Sequence, residues 1–190
     1  MHVADQPYLT SDAYLEWEAR QPARHEYVAG EIFAMVGTTQ RHNLIEGNLY
    51  MALRQHLRGR PCQVFVEAIK LRAAKANAYY YPDIMVACGE HRRLAGPDQV
   101  IDDPTIVVEI LSPSSEATDR REKLAAYRSL STLEEYLIVD QERQQAEVYR
   151  RQGDIGWTHL IFETGDTLEL ASIGLNLPLA ALYEGTDIAG

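Results

Sequence analysis

Two carboxylates stand where the sequence otherwise asks for buried apolar side chains. Asp83 interrupts the run YYPDIMVA and Glu109 interrupts TIVVEILS, β-branched and aromatic stretches of the kind that form strands. A lone buried carboxylate costs several kcal/mol by rough estimate, so it is neutralised, paired or bound to a metal. Taken singly, each reads equally well as a strand-end carboxylate held by an arginine. Two in neighbouring strands shift the balance toward a shared cation. Lys123 follows Asp119 by four residues and precedes Tyr127 by four, a spacing that sets all three on one helix face. The spacing allows an ordinary surface ion pair contributing a few tenths of a kcal/mol. It also allows an ammonium pointing back over the end of the Glu109 strand.

The elements that must position these residues follow from periodicity and punctuation. Leu9, Thr10 and Tyr14 read as a hydrophobic staple around a Thr N-cap, opening a helix through Trp17 that Gln21-Pro22 ends. His25 to Val36 reads as two short strands turning near Ala29-Gly30. Ile45, Leu49, Leu53 and Leu57 recur every fourth residue, which predicts an amphipathic helix from Gln40 to Leu57, stopped by Gly59 and Pro61. Strands are expected over Cys62 to Leu71, Tyr79 to Ala87 and Thr105 to Leu111, with Pro82 bending its strand or marking an edge. Asp119 reads as an N-cap with Glu122 as its capping-box partner, for a helix through Tyr127 and Leu130. Glu135 to Val139, Ala146 to Arg150 and Trp157 to Phe162 are further strands, and a short helix lies around Pro178 to Tyr183. The expected class is α/β or mixed α+β, a mixed sheet flanked by helices.

The chain has 190 residues, enough for one full-sized core, so a single domain over 1–190 is expected. With 18 basic and 28 acidic residues the net charge is −10, which excludes a non-specific basic DNA coat. Residues 41–75 depart locally, with seven bases against two acids (Glu46 and Glu67); such a segment could face phosphates or be a solvated surface. Lys70 reads as solvated or groove-lining, on the face opposite Glu67. Two cysteines, Cys62 and Cys88, make neither a disulfide framework nor a zinc site and suit a reducing cytosol. No apolar stretch approaches the roughly 20 residues of a membrane span and no signal-peptide pattern opens the chain, so a cytoplasmic protein is expected. Tyr79-Tyr80-Tyr81 beside Asp83 suggests a homodimer, or else core or groove-lining residues.

The ordered set Gly30-Glu31, His42 opening a helix, Pro82-Asp83, Val108-Glu109-Ile110-Leu111-Ser112-Pro113-Ser114, Asp119-x-x-x-Lys123-x-x-x-Tyr127 and Glu135-Tyr136-Leu137-Ile138-Val139-Asp140 resembles the Uma2 family of the PD-(D/E)XK nuclease superfamily. The resemblance covers about residues 8–185. It implies a restriction-endonuclease-like core over about 25–165, with an extra N-terminal helix (10–20), a hairpin, and the segment 166–190 packed on it. It also implies endonucleolytic hydrolysis of DNA, with Asp83 and Glu109 holding Mg²⁺ or Mn²⁺. The superfamily's strand lysine is absent, because Glu109 is followed by Ile110 and Leu111; Lys123 from the next helix would replace it. Glu31, His42, Glu46, Asp119 and Tyr127 are supporting candidates. His42 and Glu46 share a helix face, and the superfamily often adds an acid from its first core helix, but the sequence does not decide between Glu46 and Glu31. Two other functions fit the same pattern: a nuclease fold that no longer cuts and serves as a binding or dimerisation module, and a metal-dependent hydrolase of a smaller phosphodiester.

Overall fold

The computed structural model describes residues 8–35, 37–89, 100–112 and 116–188. Thr10 accepts a hydrogen bond from the Ala13 N–H and opens α1 (Ser11–Glu18), as its N-cap position dictates. The hairpin β1 (His25–Val28) and β2 (Glu31–Ala34) turns through Ala29 and Gly30, both at positive φ. Thr39 caps α2 (Gln40–His56), whose Ile45, Leu49 and Leu53 are buried.

Two of the expected strands each break into a pair. Cys62 to Leu71 divides into β3 (Cys62–Val66) and β4 (Lys70–Ala73), and Tyr79 to Ala87 divides into β5 (Ala78–Tyr80) and β6 (Ile84–Cys88). The halves lie in different sheets. One has the order β2-β1-β5-β4-β7, with β7 at Val100–Ile101; the other runs β11-β10-β9-β8-β6-β3. Both chain segments change sheet at the same level, where the Glu67 N–H donates to the Asp83 carbonyl at 3.0 Å. Glu67 and Ala68 adopt positive φ there, and Pro82 has no N–H to continue a ladder. The alternation argument for Glu67 and Lys70 therefore fails, and Lys70 is buried with its ammonium 5.2 Å from the Tyr81 ring centre.

The six-stranded sheet adds β8 (Ile106–Leu111), β9 (Glu135–Asp140), β10 (Gln145–Arg151) and β11 (Trp157–Glu163). The β8–β9 pair is parallel, so a crossover helix must join them. That helix, α3, begins as Glu116–Thr118, widens to a π turn over Asp119–Lys123 and resumes as Leu124–Arg128. Asp119 thus sits inside the helix, not at its N-cap, and the expected capping box does not form. Pro113, Ser114 and Ser115 of the family motif lie outside the described residues.

Each face of the six-stranded sheet carries a core. Val108 and Ile110 pack with α2 and with the hairpin β12 (Thr167–Leu170) and β13 (Leu175–Pro178). Val107 and Leu111 pack with Tyr127 of α3 and with the five-stranded sheet. Tyr79, Tyr80 and Tyr81 are all buried and Tyr81 also lines a cleft, so this run is core and groove lining and not an exposed dimer face. A 3₁₀ turn over Leu179–Tyr183 closes the described tail.

The cysteine expectation is corrected. The antiparallel register sets Cys62 opposite Cys88, their Cα atoms are 4.0 Å apart and the sulfurs form a disulfide. Twenty-six residues separate them in the chain, so only strand pairing reveals the proximity. Among the described residues no helix is long and apolar enough to cross a membrane.

Candidate active site

Strand alternation sends Val108 and Ile110 to the α2 face, so Glu109 between them must face α3. There its Oε1 lies 3.1 Å from the Lys123 ammonium and accepts a 2.6 Å hydrogen bond from the Tyr127 hydroxyl. Lys123 and Tyr127 reach it from the same helix face, as the i, i+4 spacing requires. The ammonium is also 3.1 Å from Glu26 Oε1 and 3.2 Å from Asp119 Oδ1, so three carboxylates converge on one buried cation. Burial alone would release the proton, but the charges of Glu109, Glu26 and Asp119 outweigh it and hold the Lys123 pKa well above the usual lysine value. Burial likewise pushes the Glu109 carboxyl well above the carboxylate range, with Asp119, Asp83 and Glu26 adding to the effect.

Asp83 stands at the corner between the sheets. The β6–β8 register pairs Ile84 with Val108, so one residue further sets Asp83 against Glu109. Asp83 Oδ2 accepts the Ile110 N–H at 2.6 Å and lies 3.2 Å from Nε2 of His42, which comes from the first turn of α2. The alternative reading, an arginine partner for Asp83, finds no such residue among the described ones; a histidine stands there. One turn along α2 from His42, Glu46 is buried with its Oε1 unpartnered, as is Nδ1 of His42. Burial, reinforced by the charges of Asp83 and Glu67, raises the Glu46 pKa to about 7. Burial lowers the His42 pKa, but the hydrogen bond and charge of Asp83 and the charges of Glu46 and Glu67 overcome this and leave it raised.

These groups meet at a cleft of about 660 Å³, lined among others by Glu26, His42, Glu67, Asp83, Glu109 and Lys123. Of the supporting candidates, His42 and Asp119 line the cleft, while Tyr127 lies behind it on Glu109 and Glu46 lies one turn along α2 from His42. Glu31 stands apart: it lies on β2 outside the cleft lining, where the Tyr8 hydroxyl donates to it at 3.1 Å. Glu26 is the functional candidate that sequence reasoning missed. It sits in an unremarkable hairpin, and only the pairing of β1 with β5 carries it to Lys123.

A metal ion would meet oxygen donors in Asp83 and Glu109, the chemistry hard divalent cations select. The unpartnered buried Glu46 Oε1 is a further oxygen of the same type, so the donor set fits such an ion. Among the described residues, no three histidine, cysteine, aspartate or glutamate side chains already stand at coordination spacing.

The same architecture is found elsewhere. A crystal structure from Anabaena variabilis, described as "a putative nuclease belonging to DUF820", superposes with a TM-score of 0.76 and 21% identity, over 92% of this chain and 97% of that one. The fold is accordingly mixed α/β with a restriction-endonuclease-like core. Two Synechocystis proteins, slr1290 and sll1609, both described as uncharacterized, are 36% identical over 94% of this chain and 93% of the relative, and 32% identical over 87% and 95%. A family profile described as "Putative restriction endonuclease" matches residues 11–180, a span that holds Glu26, His42, Asp83, Glu109 and Lys123 alike. The chain belongs to the Uma2 family.

Proposed function

We propose that this protein is a divalent-metal-dependent nuclease that hydrolyses DNA phosphodiester bonds endonucleolytically, with Asp83 and Glu109 holding Mg²⁺ or Mn²⁺. One observation carries the reading. Asp83 from a strand corner, Glu109 from mid-strand and Lys123 from a helix converge at one cleft, with Lys123 beside Glu109 where the strand lysine is missing. When bound, the ion would polarise the scissile phosphate and lower the pKa of a water. Attack of water oxygen on phosphorus then breaks one P–O bond and leaves a phosphate monoester and a hydroxyl.

The chain's own residues prepare that step. Lys123 stays protonated, so it cannot serve as the base; it offers a fixed positive charge to the phosphate and to the charge that grows during attack. Tyr127 orients Glu109 through its hydroxyl. The Ile110 N–H and His42 orient Asp83. Cutting both strands makes a two-fold dimer part of the proposal, and the reaction is assigned to the cytoplasm.

A second reading, a nuclease fold that only binds, is favoured by the three carboxylates already gathered within 3.2 Å of Lys123. Supercoiled plasmid and a chromogenic phosphodiester, each incubated with Mn²⁺ or Mg²⁺, separate the readings. Nicking of plasmid that EDTA abolishes, and that Asp83→Asn and Glu109→Gln each reduce by at least roughly two orders of magnitude, is the expected result. Metal binding without cleavage of either substrate selects the binding module. Turnover of the small diester alone selects a hydrolase of smaller phosphoesters.

A further inference from the structure

The seven bases of residues 41–75 do not form one surface. Arg41 is engaged with Asp187 and Glu142, and Lys70 is buried. Arg54, Arg58 and Arg60 instead gather around a separate hollow of about 560 Å³, together with Tyr50, Met51 and Gln55. Among the described residues no carboxylate lines it, in a chain with 28 acids and 18 bases. Among the described residues Arg54 and Arg58 have no ion-pair partner, while Arg60 donates to the Ile173 carbonyl at 2.7 Å. The negative end of the helix dipole accounts for a cation in the last turn of α2, and so for Arg54. It does not account for Arg58 and Arg60, which lie beyond the end of the helix at His56.

We infer that this hollow is a second contact for the DNA backbone, binding phosphates of the same duplex whose scissile bond lies in the cleft. The inference rests on the nuclease reading and extends it. The cleft itself is weakly suited to draw in a polyanion, since Glu26, Glu67, Asp83, Glu109, Asp119 and Glu122 line it against Arg24, His42 and Lys123, and Lys123 is already engaged by three of those carboxylates. Attraction must come from a surface displaced from the chemistry. α2 joins the two places: His42 lines the cleft and Arg54 lines the hollow, twelve residues later. At 1.5 Å per residue that is about 18 Å along the helix axis, roughly five base-pair steps of duplex DNA at 3.4 Å each. Guanidinium forks match phosphate oxygens in pairs, and such contacts fix register without reading sequence.

The test is the double variant Arg54→Ala/Arg58→Ala in the full chain, binding a fluorescent 30-base-pair duplex in Ca²⁺ across a salt series. Both side chains are solvent-exposed, so an unchanged melting temperature is expected. Affinity should fall at least about tenfold, and the slope of log K against log salt should flatten by about 1.8, the value for two lost phosphate contacts. Hydrolysis of the chromogenic diester, too small to reach the hollow, should be unchanged. If wild type binds the duplex and the variant matches it in affinity and slope, the hollow plays no part and the nuclease reading stands. If the variant also loses small-diester hydrolysis, the hollow is not an independent contact and the inference fails. If wild type binds no duplex at low salt, both readings fall together.

Discussion

On the α3 side of the cleft Lys123 stands within 3.2 Å of Glu26, Glu109 and Asp119, whereas on the α2 side Asp83 and Glu46 share only His42. Both sides bury carboxylates, but they offset them differently. The α3 side carries a permanent cation whose proton is held by its neighbours. The α2 side carries a titratable one, and leaves Glu46 Oε1 and His42 Nδ1 without partners. An acidic site that supplies its own cation is organised without help. One that leaves buried oxygens unpaired gains most from an external cation, because the desolvation penalty of those groups is otherwise unrelieved. On the metal-dependent reading proposed above, Lys123 and Tyr127 would position Glu109 for the ion, and the unpaired α2 groups beside Asp83 are the part of the site that the ion would relieve.

The largest effect that could break this contrast is at Lys123. Lys123→Met removes the ammonium and leaves the buried Glu109 and Asp119 facing the half-buried Glu26, so urea unfolding in EDTA should show a loss of about 3–5 kcal/mol. Adding Glu109→Gln to that variant should recover part of the loss. A Lys123→Met protein as stable as wild type would show that the α3 side needs no internal cation.

Glu46→Gln sharpens the other half. A carboxyl whose folded pKa is about 7 binds its proton more tightly folded than unfolded, so folding stability falls as pH rises from about 4.5 to 7. The variant should therefore be more stable than wild type by roughly 2 kcal/mol above pH 7, and nearly equal to it at pH 5. His42, with its pKa raised by Asp83, adds stability at acid pH that is lost as pH rises through its folded value. Both groups make the EDTA-treated protein weaken from pH 5 to 8.5, and thermal melts across that range measure it. In Mn²⁺ the metal-induced rise in melting temperature should be smaller for Glu46→Gln than for wild type.

The smallest effect is at Tyr127. Tyr127→Phe removes one of the two groups that hold Glu109 and should cost about 0.5–1.5 kcal/mol, the range for an ordinary hydrogen bond. A fully neutral result in chemical denaturation would mean that Lys123 alone fixes the carboxylate.

Sequence alone determined what depends on local order. The caps at Thr10 and Thr39, the four-residue stripe of α2, the hairpin turn and the odd carboxylates Asp83 and Glu109 are all short-range statements, written in propensity, periodicity and burial cost. The i, i+4 spacing likewise set Lys123 and Tyr127 on one helix face before any packing was known. Tertiary structure decided whatever depends on which strand lies beside which. The sheet change at Glu67 and Asp83, the β1–β5 pairing that brings Glu26 to Lys123, the Cys62–Cys88 proximity and the gathering of Arg54, Arg58 and Arg60 around one hollow all arise between segments distant in the chain. Local preference carries no information about them, because a strand's side-chain pattern specifies which face is buried and not which neighbour buries it. The π turn that buries Asp119 against Lys123 belongs to the same class: Asp119 and Glu122 spelled a capping box, and the gain from converging on a buried cation outweighed it.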